Sequence, residues 1–98
     1  MNIEDFTASL SHPHPPEGLS KLLQALWFEG KNNWPAAHEI AQDIGSKEAS
    51  WIHAYLHRKE GDAGNAMYWY RKAGKSMPEF ALKEEWEMIA KEILKAES

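Results

Sequence analysis

The sequence contains no cysteine, which excludes disulfide bonds, thiol catalysis and zinc sites built from thiolates. It also contains no apolar run near the roughly 20 residues that a membrane-spanning helix needs. The first ten residues carry Glu4 and Asp5 without lysine or arginine, so we expect no signal peptide. The net charge is −4 and the basic residues are scattered, so no basic face could neutralise phosphates. We therefore expect a cytoplasmic protein that binds neither a membrane nor a nucleic acid.

Residue sets typical of catalysis are also missing from the sequence. No nucleophile can be paired with a base and an orienting group, and the glycines lie at helix ends rather than in a phosphate-binding loop. Acidic pairs are limited to Glu4-Asp5 and to Glu84-Glu85, and the second pair alternates with lysines as a solvated helix face would. We predict that the protein is not an enzyme and needs no cofactor.

What the sequence does contain is enough for one helical domain. Of its 98 residues, 43% are hydrophobic and five are tryptophan, a residue that buries a large area in a small core. Apolar residues recur at three- and four-residue spacing in five segments bounded by capping residues and glycines. The predicted helices span residues 17–29, 34–44, 47–60, 63–73 and 80–96.

The segment before the first predicted helix differs in composition, because it contains a proline-rich run. His12-Pro13-His14-Pro15-Pro16 stops any helix, because proline fixes φ and removes a hydrogen-bond donor. We predict an N-terminal arm over residues 1–16, whose Phe6 could dock on the core, followed by a single domain over residues 17–98. The short gaps between helices favour antiparallel packing of sequential neighbours.

Two segments 29 to 31 residues apart share a pattern of small and large residues. Glu29-Gly30 is followed by Trp34, Ala37 and Ala41, and Glu60-Gly61 is followed by Ala66, Tyr70 and Ala73. Repeats of this length are typical of stacked helical hairpins. The alanines would let paired helices approach closely, and the aromatic residues would fill the space between pairs.

The second of these segments resembles the tetratricopeptide (TPR) family, and more closely its Sel1-like branch. Trp51-x2-Ala54 looks like the first helix of a unit, and the run from Ala66 to Gly74 (AMYWYRKAG) looks like the second helix, A-x-x-W-Y-x-K-A. The resemblance covers residues 47–78 well and 19–44 loosely, and Tyr55 stands where the family usually has a close-packing glycine. It implies antiparallel hairpins closed by a C-terminal capping helix, a concave face that binds peptides or proteins, and no catalysis.

Aromatic and arginine side chains offer the first candidate site. Phe28 and Tyr68 fall off the core stripes of their helices, Trp51 sits at a stripe edge, and Arg58 or Arg71 would lie near Tyr68. Aromatic residues and arginine are the usual anchors of binding surfaces. We predict a small adaptor or scaffold that binds a protein, a peptide or a second copy of itself through these residues. The alternative is that the N-terminal arm or the last helix covers them.

Three histidines offer the second candidate site, a metal centre. His53 and His57 are four residues apart on one helix face, and antiparallel packing could bring His38 close to His53. A zinc site needs three or four ligands in strict geometry, so the sequence alone favours half-buried, hydrogen-bonded histidines on the helix flanks. Metal binding by His38, His53 and His57 is the alternative function.

Overall fold

The computed structural model describes residues 1–97, which form six α-helices and no β-strand. The prediction of an all-α fold is confirmed, whereas the predicted number of five helices is wrong. The helices are α1 (Ile3–Ser9), α2 (Lys21–Gly30), α3 (Trp34–Gln42), α4 (Lys47–Glu60), α5 (Ala63–Ala73) and α6 (Leu82–Glu97). None of these helices combines the length and the apolar character needed to cross a membrane.

The additional helix is α1, which lies within residues 1–16. The Asn2 side chain caps it by accepting a hydrogen bond from the backbone N–H of Asp5 at 2.8 Å. Phe6 is completely buried and stacks on Trp86 of α6 with the ring centroids 5.7 Å apart. Seven residues are too few for a helix to be stable alone in water, so this long-range contact holds α1 in place.

The other helix boundaries follow local capping chemistry. Side chains at the N-cap positions of α2 to α5 each accept a hydrogen bond from a backbone N–H three residues further on, which contributes about 1 kcal/mol per cap. These caps are Ser20, Asn33, Ser46 and Asp62. The cap at Ser20 moves the start of α2 to Lys21, later than predicted. Gly61 and Gly74 end α4 and α5 with φ of 88° and 73°, a left-handed conformation that glycine adopts without strain.

Helix α4 is the centre of the molecule. It packs most extensively on α5 and also contacts α2, α3 and α6, while α2 packs mainly on α3. The core contains the expected small residues, including Ala37, Ala41, Ala54 and Ala66. The two long faces of α4 therefore meet different neighbours, and each face carries a cluster of polar groups.

Helix α6 is held to α4 by a buried carboxylate. Glu85 is fully buried and accepts hydrogen bonds from Trp51 Nε1 at 3.1 Å, from the Tyr70 hydroxyl at 2.6 Å and from Arg58 at 2.8 Å. Arg58 also donates to the Phe80 carbonyl. The expectation that Glu85 belongs to a solvated face is wrong, because its charge is matched by an arginine and two neutral donors inside the fold.

Candidate functional site

Three histidines from two helices meet at one place beside α4. His38 lies on α3, and His53 and His57 lie on α4. The Nε2 atoms of His38 and His53 are 3.0 Å apart. One ligand nitrogen from each of the three imidazoles lies within 4.8 Å of the others. The structure thus brings together the three residues that the sequence marked as the alternative site.

Local structure explains why these rings converge. The four-residue spacing of His53 and His57 puts both on the face of α4 that α3 covers, and their ring centroids are 5.3 Å apart. His38 lies one turn after Trp34, whose indole stacks on its ring at a centroid distance of 4.8 Å. Trp34 Nε1 donates to the Leu56 carbonyl at 2.9 Å, which fixes the start of α3 against α4.

A second indole closes the cluster on the side of α5. The ring centroid of Trp69 lies 4.1 Å from that of His53. Trp34 and Trp69 therefore form apolar walls around the imidazoles and restrict their movement. Sequence reasoning treated both indoles as core residues, although the spacing of Trp34 and His38 on one helix face already indicated their contact.

Burial and mutual proximity favour the uncharged form of His38 and His53. Burial, followed by the neighbouring His38 and His57, lowers the pKa of His53 to about 4. Burial and His57 also lower the pKa of His38, against a smaller opposing effect of Glu60. At neutral pH, one ring of the His38–His53 pair can therefore donate its Nε2–H while the other accepts. Neutral imidazole is the form that binds metal ions.

An acidic edge borders the cluster next to His57. Its Nδ1 lies 2.7 Å from Oε1 of Glu60, and His57, Glu60 and Asp62 also have potential ligand atoms within 4.8 Å of one another. A carboxylate that binds one nitrogen of a histidine orients the ring and leaves the other nitrogen for a metal. Sequence reasoning missed Glu60, although its three-residue spacing from His57 is a readable signal.

The five residues of the predicted aromatic surface lie in different environments. Trp51 is only 7% exposed, and both Trp51 and Arg58 are bound to Glu85 within the fold. Phe28 is half-buried and packs edge-on against Trp27. Tyr68 and Arg71 are exposed. Of the two alternatives left open for Trp51, coverage by the last helix is the one observed, because Glu85 of α6 supplies its hydrogen-bond partner.

No family model, curated protein or solved structure matches this chain significantly. The geometry and chemistry of the residues themselves are therefore the basis for inferring the function.

Proposed function

We propose that the protein binds a transition-metal ion through His38, His53 and His57, with Zn²⁺ as the first candidate. The observation that carries this proposal is the convergence of three imidazole nitrogens within 4.8 Å. Zn–N bonds of about 2.0–2.1 Å place the nitrogens of a tetrahedral site roughly 3.3 Å apart. The His38–His53 pair, at 3.0 Å, is already near that spacing, and His57 has a ligand nitrogen within 4.8 Å of both.

The ligand chemistry supports an imidazole-binding metal rather than calcium or magnesium. Zn²⁺, Cu²⁺ and Ni²⁺ accept neutral imidazole, whereas calcium and magnesium require oxygen ligands. The lowered pKa values of His38 and His53 favour the neutral rings, so metal binding does not have to displace a second proton from either ring. The ring whose Nε2–H donates within the pair would have to carry its proton on Nδ1 instead, which frees its Nε2 for the metal. Glu60, bound to His57, would orient that ring and offset part of the metal charge.

The metal would serve to fasten α3 to α4. These helices carry the three ligands, and neither helix alone supplies more than two. A bound ion would stabilise the folded chain, because the unfolded chain does not hold the three rings together. No catalytic role is proposed.

Metal titration of the tag-free protein tests this proposal. We expect one Zn²⁺ per chain by isothermal titration calorimetry, and loss of that stoichiometric binding in the His38→Gln and His57→Gln variants. The matched control is His12→Gln/His14→Gln, which removes the other two histidines from the proline-rich segment. Unchanged binding in the first two variants, or loss in the control, would contradict the site.

A protein-interaction role is a second proposal, supported by two adjacent exposed side chains on α5. Met67 and Tyr68 are 54% and 49% exposed, and the Lys72 ammonium lies 5.4 Å from the Tyr68 ring centroid. Within this proposal, α2–α3 and α4–α5 are two TPR-like or Sel1-like units, α6 caps them, and the occupant is a protein, a peptide or a second copy. The extensive packing within each pair and the short connections between their helices support that arrangement.

The test of this second role uses Tyr68→Ala and Phe28→Ala. Tyr68→Ala should abolish partner capture or self-association, measured by affinity capture and light scattering, without a change in thermal stability. A lowered Tm with Tyr68→Ala, or binding that survives it, would contradict the role. Phe28→Ala tests whether the half-buried ring also contributes, and lost stability there would assign Phe28 to the core.

A further inference from the structure

A second site-like feature lies where α1, α2, α4 and α6 meet. A cavity of about 330 Å³ opens there, at the lower end of the roughly 300–1,000 Å³ range of small-molecule sites. Its apolar wall includes Leu10, Leu82 and Trp86. None of the three clustered histidines lines it, so its chemistry is independent of the proposed metal site.

Glu29 on the cavity wall has one oxygen without a partner. The side chain is almost completely buried, and its Oε1 accepts a hydrogen bond from the Lys59 ammonium. Lys59 also donates to Asn32 Oδ1 at 3.3 Å. The other oxygen, Oε2, is buried and has no hydrogen-bond partner among residues 1–97. Buried polar atoms are rarely left unsatisfied, because their desolvation is then uncompensated.

Tyr55 brings a hydrogen-bond donor to the same cavity. It is 4% exposed, and in the described part of the chain its hydroxyl makes no hydrogen bond. Burial raises the pKa of this hydroxyl, and the charges of Glu29 and Glu85 raise it further, so the proton stays on the oxygen. Glu29 and Tyr55 therefore both line the cavity, and neither Glu29 Oε2 nor the Tyr55 hydroxyl has a hydrogen-bond partner among the described residues.

We infer that this cavity binds a small, neutral, alcohol-bearing molecule with an apolar body. The ligand hydroxyl donates to Glu29 Oε2 and accepts from the Tyr55 hydroxyl, while the body packs on Leu82 and Trp86. A hydroxyl group suits this pair because it donates and accepts at once. Lys59 already neutralises Glu29, so the site has no need of a second cation, and an ammonium could not accept from Tyr55.

Three probes that share one aromatic body test the inference: benzyl alcohol, toluene and benzylamine. In NMR titrations we expect saturable binding of benzyl alcohol, with shifts at the Trp86 indole and the Leu82 methyl groups. Toluene should bind more weakly by a factor of about ten or more, because it leaves both polar groups unsatisfied. Benzylamine, a cation at neutral pH, should also bind more weakly. Equal affinity for all three probes, or no saturable binding at millimolar concentration, would overturn the proposal and leave water as the occupant.

The Tyr55→Phe variant separates ligand recognition from folding. Its Tm should be unchanged or slightly raised, because the removed hydroxyl has no hydrogen bond to the described residues. Benzyl alcohol affinity should fall about tenfold while toluene affinity stays constant, as expected when one recognition hydrogen bond is lost. The control is Tyr68→Phe on the exposed face of α5, which should change neither affinity. A large loss of stability in Tyr55→Phe, or an equal fall for both probes, would show that the hydroxyl serves the core.

Discussion

The two polar clusters on α4 differ in how their charges are matched. Toward α6, the single carboxylate of Glu85 is surrounded by an arginine, an indole N–H and a tyrosine hydroxyl. Toward α3, His38, His53 and His57 crowd together, and the first two have lowered pKa values. The first cluster is complete within the protein and has a structural role. The second cluster consists of three imidazole rings, which repel each other once they are protonated. In their neutral form the same three rings could together bind a metal cation.

The largest effect should come from removing the centre of the complete cluster. Glu85→Ala leaves Arg58 without its carboxylate and strips Tyr70 and Trp51 of their acceptor, so we expect a loss of about 3–5 kcal/mol in the free energy of unfolding. Urea denaturation measures it. Glu84→Ala, at an exposed neighbouring position, should stay within about 0.5 kcal/mol of the parent protein. Similar losses of stability in both variants would mean that the buried Glu85 contributes no more to stability than the exposed Glu84 does.

The histidine cluster should respond to metal where the Glu85 cluster does not. With free Zn²⁺ at 100 times its Kd, the free energy of unfolding should rise by about 2.7 kcal/mol. That gain should vanish in His57→Gln and persist in His12→Gln/His14→Gln, as measured by urea denaturation with and without Zn²⁺. A gain that survives His57→Gln would mean that the stabilising ion binds elsewhere.

The pH dependence of the metal-free protein sharpens the same comparison. The pKa of His53 is about 4 in the folded chain, below the ordinary 6.5 of the unfolded chain. As the pH falls from 6.5 towards 4, His53 becomes protonated in the unfolded chain but stays neutral in the folded chain. The free energy of unfolding therefore decreases across this window. Urea denaturation at several pH values should show this decrease, and His53→Leu should reduce it. An unchanged slope in His53→Leu would mean that other groups carry the pH response.

The smallest effect is spectroscopic. Trp34 and Trp69 pack against the histidines, whereas Trp51 is bound to Glu85. Cu²⁺ at the site should quench part of the tryptophan fluorescence, and Trp69→Phe should remove much of the quenched component. Trp51→Phe should leave that component in place. Equal quenching in the two variants would place the metal away from the imidazoles.

Sequence reasoning succeeded where the signal was local. The helices from α2 to α5 follow from apolar spacing and from caps such as Asn33, Ser46 and Asp62, since a cap acts within one turn. The clustering of the histidines also has a local basis, because His53 and His57 lie one turn apart. The short connection between α3 and α4 then suffices to bring His38 next to His53 and His57.

Sequence reasoning failed where a partner lies far along the chain. Helix α1 depends on the stacking of Phe6 on Trp86, and the burial of Trp51 depends on Glu85. The two residues of each pair lie too far apart in the sequence for the apolar spacing within a ten-residue window to indicate their contact. Whether Trp51 is exposed or covered could not be decided from the sequence for this reason, because helix spacing shows where a side chain points but not which later helix will cover it.

The docking of α1 on α6 also affects how the chain folds during synthesis. Helix α1 leaves the ribosome before α2 to α5, but Trp86, the ring on which Phe6 stacks, is translated after them. Until then the nascent chain carries an unpartnered phenylalanine, which is the kind of exposed apolar group that chaperones recognise. Helices α2 to α5 can pair while translation continues, whereas α1 joins the fold only after α6 has emerged.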